Sequence, residues 1–175
     1  MSSLSIVKQT KNQTKKNTLT YKIVLVGDAG TGKSTFVKRL SGLNFVTSYH
    51  ATLGVDVHCV TFKSIDNNYI NFCIWDTAGQ EKFGGIREGY YRNTDGVIIL
   101  CDNNKMTQKN VAKWKTHIKQ FCPSVPIMTI KNKIDVASKS NNKQNEIMTF
   151  DFEMSTKNMT DYDDILEELY GLVKK

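Results

Sequence analysis

No apolar run in this 175-residue sequence approaches the eighteen or so residues of a membrane-spanning helix, and no apolar h-region follows the first residues. Neither a span nor a secretory leader is expected. Serine at position 2 excludes N-myristoylation. The four cysteines, Cys59, Cys73, Cys101 and Cys122, contain no C-x-x-C pair and mostly fall inside apolar, strand-like runs. They read as buried, reduced thiols, which points to the cytosol or nucleus. Aromatic residues are missing from the first twenty positions. That argues against nucleic-acid binding by base stacking there, despite the local excess of lysine.

What is present is ordinary in bulk: 39% apolar and 23% charged residues, with a formal net charge of +7. Length and composition suit one domain with a sizeable core. The charge is unevenly placed, because Lys8, Lys11, Lys15, Lys16 and Lys22 precede or open the first strand-like run. Diluted by Asn, Gln, Thr and Ser, residues 1–20 read as a solvated basic tail, and residues 21–175 as the folded domain.

The most informative local stretch is GDAGTGKS, directly behind the apolar run Tyr21 to Val26. Closely spaced glycines let successive backbone N–H groups wrap a phosphate where a Cβ would intrude. Lys33 supplies a positive charge for the β/γ-phosphates and Ser34 a hydroxyl for Mg²⁺, while the helix that follows offers its N-terminal amides to the anion. Asp28, Ala29, Gly30, Thr31, Gly32 and Thr35 complete this phosphate-binding loop.

YKIVLVG, VDVHCVTFK, YINFCIWD, GVIILCD, VPIMTIKN and TFDFEM read as strands, separated by segments with helical spacing or turn residues. The short Asp66, Asn67, Asn68 connection predicts a hairpin, hence one antiparallel pair in an otherwise parallel sheet. Val111, Trp114, Ile118 and Phe121 share one helical face and read as core. A last helix is expected to open at Thr160, with Asp161, Asp163 and Asp164 in its first turn, and to close on Lys174 and Lys175.

Three further motifs follow strands. WDTAGQ puts Asp76 where a carboxylate can hold Mg²⁺ through water, the Gly79 amide where it can reach a γ-phosphate, and Gln80 where it can orient an attacking water. NKID supplies Asn132, Lys133 and Asp135; the last can accept from the N1–H and exocyclic amine of guanine, a pairing adenine cannot offer. STK, with Ser155, Thr156 and Lys157, completes a base pocket through a backbone amide and an aliphatic stem. NKID and DTAGQ leave little room for a nucleoside or adenylate kinase.

With these motifs in this order, the chain resembles the small GTPases of the Ras superfamily and, within it, the Ran family. The resemblance runs from about Tyr21 to the end and is most specific in GTGKSTFVKR, YHATLGVDVH and WDTAGQEKFGGIREGYY. It implies the P-loop NTPase small-GTPase (G-domain) fold, an α/β architecture with a six-stranded, mostly parallel sheet, one antiparallel strand and helices on both faces. It also implies switch segments at about 43–55 and 78–92, Mg²⁺ as cofactor, and GTP and GDP as substrate and product. Thr52 would bind Mg²⁺ and sense the γ-phosphate, Phe45 would pack on guanine, and Tyr49 would contact the catalytic glutamine, Gln80. The implied activity is that of a monomeric switch in nucleocytoplasmic transport, in nucleus and cytoplasm. Its implied partners are an exchange factor, a GTPase-activating protein and importin/karyopherin-like receptors. A Rab-like trafficking GTPase is the alternative, although no prenylatable C-terminal cysteine is present; a GTP-loaded decoy of transport receptors is another.

Several residues depart from the family pattern. Ala29 stands where Ran and Ras have glycine, and its methyl is expected to crowd the transition state and slow hydrolysis. Thr156 replaces the usual alanine and Lys131 a glycine. The Ser-, Asn- and Lys-rich interval between NKID and STK is several residues shorter than in the Ran family, so a full fourth helix and its basic patch are not expected. The sequence ends at Lys175 without the family's C-terminal extension, so weak binding to domains that embrace that extension is expected.

Overall fold

The computed structural model describes residues 18–45, 51–78, 88–137, 148–158 and 162–174. Its elements are β1 (Thr18–Val26), α1 (Lys33–Leu40), β2 (Val55–Lys63), β3 (Tyr69–Thr77), a 3₁₀ turn (Glu88–Tyr90), β4 (Gly96–Cys101), α2 (Lys105–Phe121), β5 (Ile127–Lys131), β6 (Phe152–Glu153) and α3 (Tyr162–Val173). The six strands form one sheet in the order β2-β3-β1-β4-β5-β6. β2 runs antiparallel to β3 and every other neighbouring pair is parallel. The hairpin closes at Asn67, in the left-handed region at φ 67°, with the Asn67 amide donating to the Ser64 carbonyl at 2.9 Å. Asparagine tolerates that backbone better than most residues.

β4 is buried at every position, as a central strand covered on both faces must be, and its sequence is a continuous apolar run. One face of the sheet packs Ile23, Leu25, Phe72, Ile74, Ile98 and Leu100 against α1 and α3. The other packs Val24, Val26, Val97 and Ile99 against Val111, Trp114 and Ile118 of α2. Gly96 lets α3 come close, since a Cβ there would lie 2.7 Å from Val173 Cγ1. Among the described residues, no helix is long and apolar enough to cross a membrane.

Some expectations shift. β1 opens at Thr18, paired with Tyr69, so Thr18 to Thr20 belong to the sheet and not to the basic tail. β6 shrinks to Phe152–Glu153, because it pairs only with Ile130 and Lys131 at the far edge. Phe121, expected in the core, is 37% exposed and stacks on Tyr91 with ring centroids 5.8 Å apart. α3 carries Asp163 and Asp164 in its first turn, while Thr160 and Asp161 lie outside the described residues. Lys174 follows the helix and pairs with Asp66 on the hairpin at 3.2 Å. Of the cysteines only Cys101 is buried; Cys73 and Cys122 are half-buried and Cys59 is exposed. β2 is an edge strand, and Cys59 alternates with Val60, which takes the buried face.

Candidate nucleotide-binding site

The carboxyl ends of β1, β3, β5 and β6 bring the sequence motifs to one edge of the sheet, the usual place for ligands in open α/β sheets. The loop after β1 turns on positive φ at Gly27 (141°), Gly30 (76°) and Gly32 (101°). Two of these glycines are also steric requirements. A Cβ on Gly27 would sit 2.0 Å from the Leu100 carbonyl oxygen, and one on Gly32 would sit 2.6 Å from Asn132 Nδ2. Gly32 caps α1 without a side-chain hydrogen bond, so no side chain competes for the first-turn amides. Lys33, 6% exposed, folds its ammonium back over the loop, donating to the carbonyls of Gly27 (2.7 Å) and Asp28 (3.1 Å). Ala29 and Gly30 are exposed at the loop tip, and Thr31 is buried with its hydroxyl donating to the Asp28 carbonyl at 2.9 Å. Thr35 and Phe45 are half-buried.

Beside the cradle three oxygens from different elements converge. The Ser34 hydroxyl donates to Asp76 Oδ2 at 2.5 Å and lies 2.8 Å from the Thr52 hydroxyl. Asp76 is 1% exposed, and its Oδ1 is buried without a hydrogen-bond partner. Burial holds its carboxyl above the ordinary aspartate range, opposed by the Ser34 hydrogen bond and the Lys33 charge. An orphaned carboxylate oxygen next to two hydroxyls is a hard, oxygen-only donor set, which fits Mg²⁺. Among the described residues no three His, Cys, Asp or Glu side chains converge, so phosphate oxygens and water would complete the coordination. The site therefore costs stability when Asp76 stands without a cation. Asp76→Asn is expected to raise the melting temperature of the metal-free chain by roughly 2–4 °C, about 1 kcal/mol, while abolishing any Mg²⁺-dependent gain in nucleotide affinity. Paired melting curves and nucleotide titrations, with and without Mg²⁺, check both halves.

The candidate base-pocket residues group around Asn132, 1% exposed. Its Nδ2 donates to the Thr31 carbonyl at 3.0 Å, and its Oδ1 accepts from the Thr156 amide (3.0 Å) and hydroxyl (2.8 Å). The hydroxyl bond is one that an alanine at position 156 could not make, whereas the amide bond would be open to either residue. Lys133, at φ 60°, reaches the Gly30 carbonyl and lies 3.5 Å from Asp102 Oδ2. Asp135 and Lys157 are exposed, and the Ser155 hydroxyl holds Asp135 Oδ1. Lys131 pairs with Glu153 at 2.9 Å between β5 and β6. Tyr49, Gly79 and Gln80 lie outside the described residues.

Two partners of the loop are not legible as motifs. Asn110 Nδ2 donates to Asp28 Oδ2 at 2.6 Å and Trp114 Nε1 to Asp28 Oδ1 at 3.1 Å. Asp28 thus anchors the phosphate loop to α2 through its side chain, while its carbonyl receives Lys33 and Thr31. Trp114, assigned to core packing by its spacing, is also a donor. Asp28→Ala would leave two buried donors unpaired and is expected to cost about 2 kcal/mol. The melting temperature should fall by roughly 4–8 °C. Trp114→Phe, which removes only one donor and keeps most of the packing, should fall less in the same thermal scan.

A phosphate cradle and a base pocket at one sheet edge, joined by the bond from Asn132 to Thr31, are the layout of a GTP-binding P-loop domain. The family model for Roc, described as the "Ras of Complex, Roc, domain of DAPkinase", matches residues 22–135, from within β1 through Asp135. That is well over half of the chain, and the chain belongs to this family of Ras-superfamily GTPase domains.

Proposed function

We propose that this domain is a Ran-like switch: it binds GTP and GDP with Mg²⁺, hydrolyses GTP slowly, and in its GTP form engages importin-like transport receptors in nucleus and cytoplasm. The observation that carries the switch is the 2.8 Å contact between Ser34 on α1 and Thr52, which precedes β2. It couples the segment ahead of β2 to the phosphate site, so a change at the γ-phosphate alters what holds that segment. Mg²⁺ at Ser34, Thr52 and Asp76 would neutralise charge on the β- and γ-phosphate oxygens. Lys33 and the loop amides would bind those oxygens, Gly79 would donate to the γ-phosphate, and Gln80 would orient the attacking water, with Tyr49 beside it. Phe45, Asn132, Lys133, Asp135, Ser155 and Lys157 would hold the guanine.

The Ran-like part of the reading is supported by the resemblance of WDTAGQEKFGGIREGYY to that family. Its test is phosphate release from the GTP-loaded chain with and without a Ran-type activating protein, paired with importin binding in the two nucleotide states. Stimulated release and GTP-dependent binding are expected. Absence of both would leave a GTPase of another pathway.

Intrinsic turnover should be on the order of 10⁻⁴ to 10⁻³ s⁻¹ or lower, as for unassisted enzymes of this class. Ala29→Gly removes the methyl at the exposed loop tip and is expected to raise the single-turnover rate several-fold. A faster natural protein would overturn that role for Ala29.

A further inference from the structure

Cys59 on β2 and Cys73 on β3 are register partners in the antiparallel hairpin, with their sulfurs 3.6 Å apart. We propose that this pair is a reversible dithiol–disulfide site, oxidised by exchange with a low-molecular-weight disulfide of the glutathione class, which cross-links the edge strand to its neighbour. The backbone already provides the spacing. Residues directly opposed in an antiparallel pair have Cα atoms about 4.5–5.5 Å apart, inside the 4.4–6.8 Å window that disulfides occupy. The sulfurs need to close by about 1.5 Å to reach bonding distance.

Access and chemistry divide the work between the two thiols. Cys59 is exposed on the edge strand and can meet an external disulfide; Cys73 is half-buried behind it. The Cys59 thiolate attacks one sulfur of the external disulfide, forming a mixed disulfide and expelling one thiolate. Cys73 then loses its proton to solvent and attacks Cys59 Sγ, expelling the second thiolate. Two protein thiols are oxidised and one disulfide is reduced to two thiols. Asn71, two residues before Cys73 on the same face, donates to Cys73 Sγ at 3.6 Å and favours its thiolate. Burial and the contact with Cys59 push the Cys73 thiol up, which makes it the resolving sulfur and not the first attacker. The other two cysteines differ in kind. Cys101 is buried, donates to the Ile130 carbonyl and has its thiol pushed up to about 12; Cys122 donates to the Tyr91 carbonyl. Among the described residues, neither is hydrogen-bonded to a second cysteine.

The site lies along the same two strands as the metal-binding edge: three pairs from Cys59–Cys73, Asp56 opposes Asp76. The inference rests on the hairpin and does not depend on which nucleotide is bound. The test equilibrates the folded full-length chain with mixtures of reduced and oxidised glutathione, quenches with an alkylating reagent, and maps masses by peptide. The natural chain should lose two hydrogens in a linked Cys59–Cys73 peptide, reversibly with dithiothreitol, while Cys101 and Cys122 remain alkylated. Cys73→Ser should instead accumulate a glutathione adduct on Cys59, and Cys59→Ser should form no internal link. Full alkylation of both thiols in oxidised glutathione, an unresolved adduct on the natural chain, or an internal link that survives Cys59→Ser would each overturn the proposal.

Discussion

Lys33→Met is expected to weaken GDP binding by on the order of 10²–10³-fold, about 3–4 kcal/mol, while the domain stays folded. The ammonium sits buried over the loop, against the carbonyls of Gly27 and Asp28, where a phosphate would exchange part of those contacts for charge-assisted bonds. Methionine keeps the length of the stem and its packing but brings no charge and no donor. The folded state loses the hydrogen bonds to the Gly27 and Asp28 carbonyls, yet the Asp28 carbonyl keeps the Thr31 hydroxyl, so the stability cost of those bonds should be about 1–2 kcal/mol. Arginine should not restore binding, because its planar fork is wider than the space an ammonium fills between adjacent carbonyls. Calorimetric titration with GDP beside a thermal scan separates the effects: a loss of affinity under threefold would remove Lys33 from the phosphate site.

The second large effect concerns the base. Asp135→Asn should lower GDP affinity by on the order of 10³-fold and reverse the preference toward xanthine nucleotides. In the proposed pocket the carboxylate would accept two hydrogen bonds, from guanine N1–H and the exocyclic amine. An asparagine amide places a donor against that amine, and the same donor matches the carbonyl xanthine has in its place. The Ser155 hydroxyl can still donate to the asparagine oxygen, so the pocket should keep its shape. Competition between GDP and XDP for the variant reads the outcome directly. Unchanged guanine preference would mean that Asp135 does not read the base.

Both residues sit in motifs that are local in sequence, so their candidacy can be proposed from the sequence by itself. The glycine pattern before Lys33 dictates a loop with positive φ, and the apolar run of β4 dictates a central strand. The Asp66-Asn67-Asn68 connection dictates the hairpin. What could not be read depends on contacts between distant segments. Asp28 reads as a loop residue for phosphate, and only the folding of α2 onto the sheet shows Asn110 and Trp114 taking its carboxylate, 82 and 86 positions away. Helical spacing placed Phe121 on the same stripe as Ile118, but the helix ends there, and the ring turns to Tyr91 at the surface. Cys59 and Cys73 both sit in strand-like runs; that they oppose one another follows from the hairpin register, and that Cys59 is exposed follows from β2 being the edge. Lys131 has no evident purpose in sequence and gains one only when Glu153 arrives beside it on β6.

The central claim is that the cradle and the pocket together bind guanine nucleotide. Its most direct test is equilibrium titration of the nucleotide-free chain with GDP and with ADP at saturating Mg²⁺. GDP should bind at least about 10³-fold more tightly, the discrimination expected where a carboxylate accepts two hydrogen bonds that guanine can donate and adenine cannot. Equal affinity for the two, or a preference for ADP, would contradict the assignment.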